Sequence, residues 1–249
     1  MRISASSLMP DSLDYFNAQG STEATEIIDI PTPIPSQKSL FNIMGLDTKD
    51  SVKEIDRISY KNMSYVVFII RDDNPLINKV YNLWFKVYIE EKGYPLNERV
   101  DIEKKIYTEP QNNSIIFCIK NDNEIIGTLR FSDRRYNDLE FDYHKHIGKE
   151  CKIQEINKFM FLENYRNKLL STFLIKAGND FVKKRLPTDY YGINSAINML
   201  NYYKKLGFKI VSDKIIHPII NNVSYLLIAD MKVFSETVEK LWTRIYSNI

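Results

Sequence analysis

The order of apolar periods along this chain predicts an α/β fold of the α+β kind: a mixed, mostly antiparallel central sheet flanked by helices, with an N-terminal arm. Three observations carry that expectation. Short β-branched runs of strand length, at 65–70 and 114–119, are bounded by Asn, Asp and Pro. Longer stretches with apolar residues at helical spacing separate such runs, the longest at about 166–185. The sequence of elements reads β-α-α-β-β-β-α-β-α-β-β-α, which one sheet covered by helices satisfies.

Taken in order, residues 1–60 read as the arm, partly irregular, and 61–249 as the folded domain. The run 30–35 alternates proline with other residues and favours extended backbone. After the strand at 65–70, Asn74 and Pro75 form a helix start, a capping side chain followed by a residue that needs no N–H. Ile77, Val80, Leu83 or Trp84, Val87 and Tyr88 then recur at helical spacing until Gly93. A second short helix is expected at 97–106. The turn Asn121-Asp122-Asn123-Glu124 joins two strands into a hairpin. Residues 132–151 are polar and irregular. A strand at 152–161 leads into the helix at 166–185, which Pro187 stops. A strand at 190–193, a helix at 195–206, strands at 208–211 and 223–229 and a helix at 234–247 complete the chain.

Composition narrows the function. Lys and Arg total 34 against 32 Asp and Glu, a net charge of +2, which speaks against a nucleic-acid-binding domain. Two cysteines, Cys118 and Cys151, make neither a disulfide framework nor a zinc site and fit a reducing, cytoplasmic setting. No run reaches the ~18 apolar residues of a membrane helix, and the N-terminus lacks the apolar stretch of a signal peptide. His144 and His146, without further ligands nearby, read as surface residues, and no metal is expected.

Three landmarks carry a resemblance. The hairpin enters Gly127-Thr128-Leu129-Arg130. The strand Glu155-Ile156-Asn157-Lys158-Phe159 feeds a basic turn and the long helix. The stretch Tyr203-Lys204-Lys205-Leu206-Gly207-Phe208 ends a helix on Tyr-x-x-x-Gly-Phe. That layout resembles GNAT acyltransferases. More sharply, residues 64–232 resemble N-acyl amino acid synthases and acyl-homoserine-lactone synthases. The first-helix run from Leu83 to Tyr94 is similar to their Leu-Arg-x-(Arg/Lys)-Val-(Phe/Tyr) signature, with Trp84 at its Arg. The Glu155 segment is similar to their Glu-x-(Ser/Gly)-Arg-(Phe/Leu), with Lys158 at its Arg.

The resemblance implies an N-acyltransferase that moves a fatty acyl group from an acyl carrier protein or acyl-coenzyme A thioester to a small amine such as an amino acid. Glu155 would hold or deprotonate the amine, and Tyr203 would protonate the departing thiolate. Arg130 would orient an acceptor carboxylate, with Trp84, Asp101 and Phe159 completing the acceptor side. Phe161, Arg166, Asn167 and Lys168 would receive the phosphopantetheine at the start of the long helix, where free amides and positive charge meet. The glycines usual in that turn are absent, which suits the single phosphate of a carrier protein better than a pyrophosphate. Structural alternatives stand beside these roles. Glu155 could pair with Lys158 or Arg130, Arg130 with Glu140 or Asp142, and Tyr203 could merely pack. Two other functions remain open: a short-chain N-acetyltransferase using acetyl-coenzyme A, and a non-catalytic module that binds acyl thioesters.

Overall fold

The computed structural model describes residues 52–70, 74–109, 114–133, 141–147, 151–217 and 221–247. Residues 1–51, which include the alternating prolines of the expected arm, lie outside that set.

Eleven strands are described: β1 (Val52–Tyr60), β2 (Met63–Ile70), β3 (Val100–Asp101), β4 (Ile106–Tyr107), β5 (Ser114–Asn121), β6 (Glu124–Asp133), β7 (Ile153–Phe161), β8 (Tyr190–Ala196), β9 (Lys209–Ile210), β10 (Ile215–Ile216) and β11 (Val223–Asp230). The helices are α1 (Ile77–Phe85), α2 (His144–Ile147), α3 (Lys168–Arg185), α4 (Leu200–Lys205) and α5 (Met231–Tyr246). The main sheet runs β1-β2-β5-β6-β7-β8-β11-β10, with β9 also on β11. Every neighbouring pair in it is antiparallel except β7 and β8.

Local chemistry explains most element ends. Lys61 and Asn62 both take positive φ, 50° and 62°, as a tight hairpin turn between β1 and β2 requires. Asn74 opens the α1 segment by accepting from Leu76 N at 2.8 Å. The helix continues past Phe85 as a π-helical turn, Lys86–Glu91, before Gly93 turns the chain at φ 61°. Asn167 caps α3 through Leu170 N at 2.9 Å, and Asp230 caps α5 through Lys232 N and Val233 N.

The structure departs from the sequence-based expectation at several places, among them a turn of helix at His144–Ile147, inside the stretch expected to be irregular, and the short strand Ile215–Ile216. Residues 52–60, placed in the arm, form the edge strand β1. Its mixed pattern of exposed charges (Lys53, Glu54, Asp56, Arg57) suits a solvent-facing edge, and its pairing partner β2 supplies what the local sequence lacks. The helix expected at 97–106 is instead the small hairpin β3–β4, because Asn97 and Asp101 cap turns and Lys105 takes φ 52°. At 195–206 the helix starts late. Pairing with β11 holds β8 extended as far as Ala196, a turn covers Ile197–Met199, and only Leu200–Lys205 is helical.

Helices cover both faces of the sheet. On one face α3 and α5 pack on Val67, Phe117, Leu129, Phe131, Ile156 and Tyr191. Edge-to-face rings run from Phe117 through Phe131 and Tyr191 to Phe234, with centroids 5.0–5.7 Å apart. Burying one such side chain contributes roughly 1.5–3 kcal/mol. On the other face α1 packs on Phe68, Ile70, Ile116 and Cys118 through Val80, Leu83 and Trp84. Among the described residues no helix is long and apolar enough to cross a membrane.

Candidate active site

β7 and β8 define the site by separating. They pair in parallel at Ile153–Tyr190, Gln154–Tyr191 and Glu155–Gly192, and no further. Both strands continue, β7 to Phe161 and β8 to Ala196, so the sheet opens beyond Glu155. A bulge in β7 reinforces the opening. Thr128 lies opposite Met160 while Arg130 lies opposite Asn157, which leaves Lys158 and Phe159 against Leu129 alone. Lys158 carries the kink at φ 50°.

Glu155 stands at the last rung before the gap and is 1% exposed. The Tyr143 hydroxyl donates to its Oε1 at 3.1 Å. Tyr143 itself is fully buried, and a Cβ added at Gly192 would come within 2.9 Å of its ring. Gly192 thus lets Tyr143 lie over the sheet and reach Glu155.

The same face carries a cationic cluster. Glu109, 7% exposed, receives Arg130 Nη2 at 2.9 Å, Arg99 Nη1 at 3.0 Å and the Lys158 ammonium. Burial disfavours the Glu109 carboxylate, but Lys158, Arg130 and Arg99 outweigh it and hold the group below the usual carboxylate range. Arg130 also donates through Nε to Asn157 Oδ1 at 2.6 Å. The Lys158 ammonium sits 5.0, 5.4 and 5.8 Å from the ring centres of Tyr88, Tyr107 and Trp84. Trp84 Nε1 donates to Thr128 Oγ1 at 3.0 Å, and that hydroxyl donates to Lys158 O at 2.8 Å, tying the bulge to α1.

On the opposite face lies a narrow apolar cleft of about 10 Å3. Ile156, Phe159, Ile175, Ile193, Tyr203 and Phe208 help line it. Tyr203 is in α4, with its ring 5.8 Å from that of Phe208. Burial pushes its phenol up to about 12. Phe159 is stacked on Tyr202 at 6.3 Å.

The structure therefore gathers Glu155, Arg130, Trp84, Phe159 and Tyr203 around one opening, Glu155 and Arg130 on one face and Phe159 and Tyr203 on the other. Glu155 accepts a hydrogen bond from Tyr143, and Arg130 reaches Glu109 and Asn157; of the partners expected for Arg130, Glu140 lies outside the described residues, and Asp142 accepts from His144 N. Asp101 sits in the β3–β4 hairpin, where Lys104 engages its carboxylate, and that contact draws its pKa down. Phe161 is 3% exposed and packs over Gly127, where a Cβ would meet its ring at 2.6 Å. Arg166 donates to Phe161 O at 3.0 Å and pairs with Glu91. Asn167 caps α3, and Lys168 is its exposed first residue.

Four participants escaped sequence reasoning as site residues: Glu109, Tyr143, Asn157 and Lys158. Glu109 follows a hairpin that the sequence presents as helix. Tyr143 lies in a polar stretch without periodicity. Asn157 and Lys158 were visible inside the Glu155 segment, and their strand position was the available signal. Among the described residues no group of His, Cys, Asp and Glu could hold a metal ion. His217, 9% exposed, packs edge-on to Phe141 at 5.5 Å.

No protein-family model matches the chain, and no curated protein matches it. Solved structures do. FeeM, an N-acyl amino acid synthase from uncultured soil microbes, superimposes with a TM-score of 0.56 at 15% identity, over 70% of this chain and 95% of that one. TofI, solved in a ternary complex with an inhibitor and MTA, gives 0.54 at 11% identity, over 70% and 96%. The coenzyme A-dependent acyl-homoserine lactone synthase BjaI, with SAM and isopentyl-CoA, gives 0.52 at 9% identity, over 67% and 82%. This chain has the GNAT-like fold of those proteins, the mostly antiparallel sheet flanked by helices expected from its sequence.

Proposed function

We propose that the protein is an N-acyltransferase that moves a fatty acyl group from a carrier-protein or coenzyme A thioester to a small amine such as an amino acid. The observation that supports this best is the opened β7–β8 pair, with a buried carboxylate on one face and an apolar cleft ending at a half-buried phenol on the other. A thioester lying in the opening would place its carbonyl at the β7 bulge and its acyl chain against the apolar lining of the cleft, whose side chains would have to part to admit it. A backbone amide released there would polarise that carbonyl. Glu155 takes the proton from the attacking ammonium, directly or through water. The amine nitrogen adds to the carbonyl carbon, the C–S bond breaks as Tyr203 donates its proton to the departing thiolate, and the second proton lost from nitrogen as the amide forms returns through water to the Tyr203 phenolate. At neutral pH a phenol near 12 is fully protonated, the state this role needs.

Apolar lining favours a fatty over an acetyl group. Donor binding rests on few charges, since Arg166 is already paired with Glu91 and Asn167 serves as a cap, leaving Lys168 at the α3 terminus. That supports a donor with one phosphate near the helix, as on a carrier protein. A reducing cytoplasm suits Cys118 and Cys151, both free thiols.

Mass spectrometry of lipids from cells making the protein tests the reading. A new N-acyl amide that disappears with Glu155→Gln, while the variant stays folded, is expected; loss of about 10²-fold or more in turnover is the size such a role implies. Acetylated products alone would establish the short-chain reaction instead. Acyl-thioester binding without any product would establish the non-catalytic module.

A further inference from the structure

Beyond the last shared rung, each strand at the opening carries an asparagine. Asn157 is two residues past Glu155 and Asn194 two residues past Gly192, and those two rung residues are paired. Strand alternation puts both asparagines on the face that carries Glu155 and Arg130. Both side-chain amide nitrogens are buried and lack a hydrogen-bond partner. Asn157 is oriented, since its Oδ1 accepts from Arg130 Nε at 2.6 Å, so its Nδ2 points elsewhere. The hydroxyl of Ser224, on β11 beside Asn194 through the Leu226–Asn194 and Ser224–Ala196 pairs, is also buried and unpartnered. Native interiors hold few orphaned polar groups. Three on one face, where the sheet opens, make a set of donors arranged for an oxygen that is not part of the chain.

We infer that Asn157 and Asn194, with Ser224 behind them, form the subsite for the carboxylate of an α-amino-acid acceptor. The inference rests on the acyl-transfer reading and assigns to these amides the task that sequence resemblance gave to Arg130. The Arg130 guanidinium is committed to Asn157 and Glu109 and acts on the acceptor through Asn157, as a positioning residue. Charge selects an anion over a neutral carbonyl, because Arg99, Arg130 and Lys158 converge on the single carboxylate of Glu109 beside this subsite. Glu155, one side-chain position back along β7, has the opposite sign. The pair of subsites therefore matches a zwitterion: ammonium at Glu155, carboxylate between the asparagines.

The test compares amino acids with the amines left by their decarboxylation, leucine against isoamylamine and phenylalanine against phenethylamine. Octanoyl-coenzyme A and octanoyl carrier protein serve as donors, and the full-length protein is used. The unmodified enzyme is expected to prefer each amino acid over its amine at least tenfold in kcat/KM. Asn194→Ala is the decisive variant, because the Asn194 nitrogen has no partner in the fold and its removal leaves the melting temperature within about 2 °C. It should cut the preference roughly tenfold, the size of one hydrogen bond to a charged group, through KM for the amino acid. Asn157→Asp, which places a like charge beside the carboxylate, should cut it further. Equal losses on acid and amine, or an unchanged ratio in both variants, overturn the assignment. Calorimetric titration of the protein with leucine and with isoamylamine separates this from the acyl-transfer reading. Carboxylate-dependent binding lost in Asn194→Ala supports the subsite even if nothing is acylated, and binding indifferent to both the carboxylate and the variant refutes it.

Discussion

The Tyr143 hydroxyl donates to Glu155 Oε1 at 3.1 Å while the same ring covers Gly192 on the next strand, so one side chain spans the last rung of the opening sheet. A donor to a carboxylate stabilises the ionised form, which is the form a proton acceptor needs.

Tyr143→Phe should therefore move the acid limb of the pH–rate profile to higher pH. Without the hydroxyl, Glu155 protonates more readily and the base is lost earlier as pH falls. The ring stays in place, so the loss of stability should be confined to one buried hydrogen bond to a charged group, about 1.5–3 kcal/mol. A profile identical to that of the unmodified enzyme would remove Tyr143 from the mechanism.

Gly192→Ala tests the same geometry from the other strand. Its Cβ, 2.9 Å from the ring, forces Tyr143 to shift. Overpacking of this kind costs about 1–3 kcal/mol. Thermal melts should show that loss, and the acid limb should move as in Tyr143→Phe.

Tyr203→Phe should lower kcat by about 10²-fold with a nearly native melting temperature. Because burial raises the phenol to about 12, Tyr203 should produce no alkaline limb below roughly pH 11. An alkaline limb near pH 9 that vanishes in the variant would contradict the burial described here.

Glu109→Gln leaves Arg130, Arg99 and Lys158 around a neutral amide. Breaking a buried ion pair costs about 3–5 kcal/mol. Glu109 also contributes to acid stability. Its pKa in the fold lies below the ordinary value of 4.5, so its stabilisation is complete above that value and is lost as pH falls beneath it. Urea unfolding should accordingly show a shallower loss of stability below pH 4.5 in the variant than in the unmodified protein.

Asn167→Ala separates capping from donor binding. Loss of the bond to Leu170 N should cost about 1 kcal/mol of stability. Lys168→Ala should instead raise KM for the thioester donor several-fold, with a dependence on salt that fades in the variant. Opposite assignments of the two effects would move phosphate recognition onto the asparagine.

Much of the fold was legible because its elements state their period locally. The 65–70, 114–119 and 124–131 strands and the long helix at 166–185 each bury a regular set of side chains, and the structure has all of them. The parts that were not legible depend on partners distant in sequence. Val52–Tyr60 is a strand because β2 offers it an edge, and β8 reaches Ala196 because β11 pairs with it. The site shows the same division. Glu155 and Tyr203 sit in recognisable segments. Glu109 and Tyr143 arrive on irregular chain, and only the folded contact with Arg130 or Glu155 marks them.

Lys158 holds a left-handed backbone in mid-strand, at a cost of about 1–2 kcal/mol that glycine would avoid. The bend in β7 and the ammonium that meets Glu109 thus come from one codon. Glycine there would keep the bend and lose the ion; arginine would keep the ion and must accept the same torsion. Drift at this position cannot trade shape for charge without forfeiting one of them.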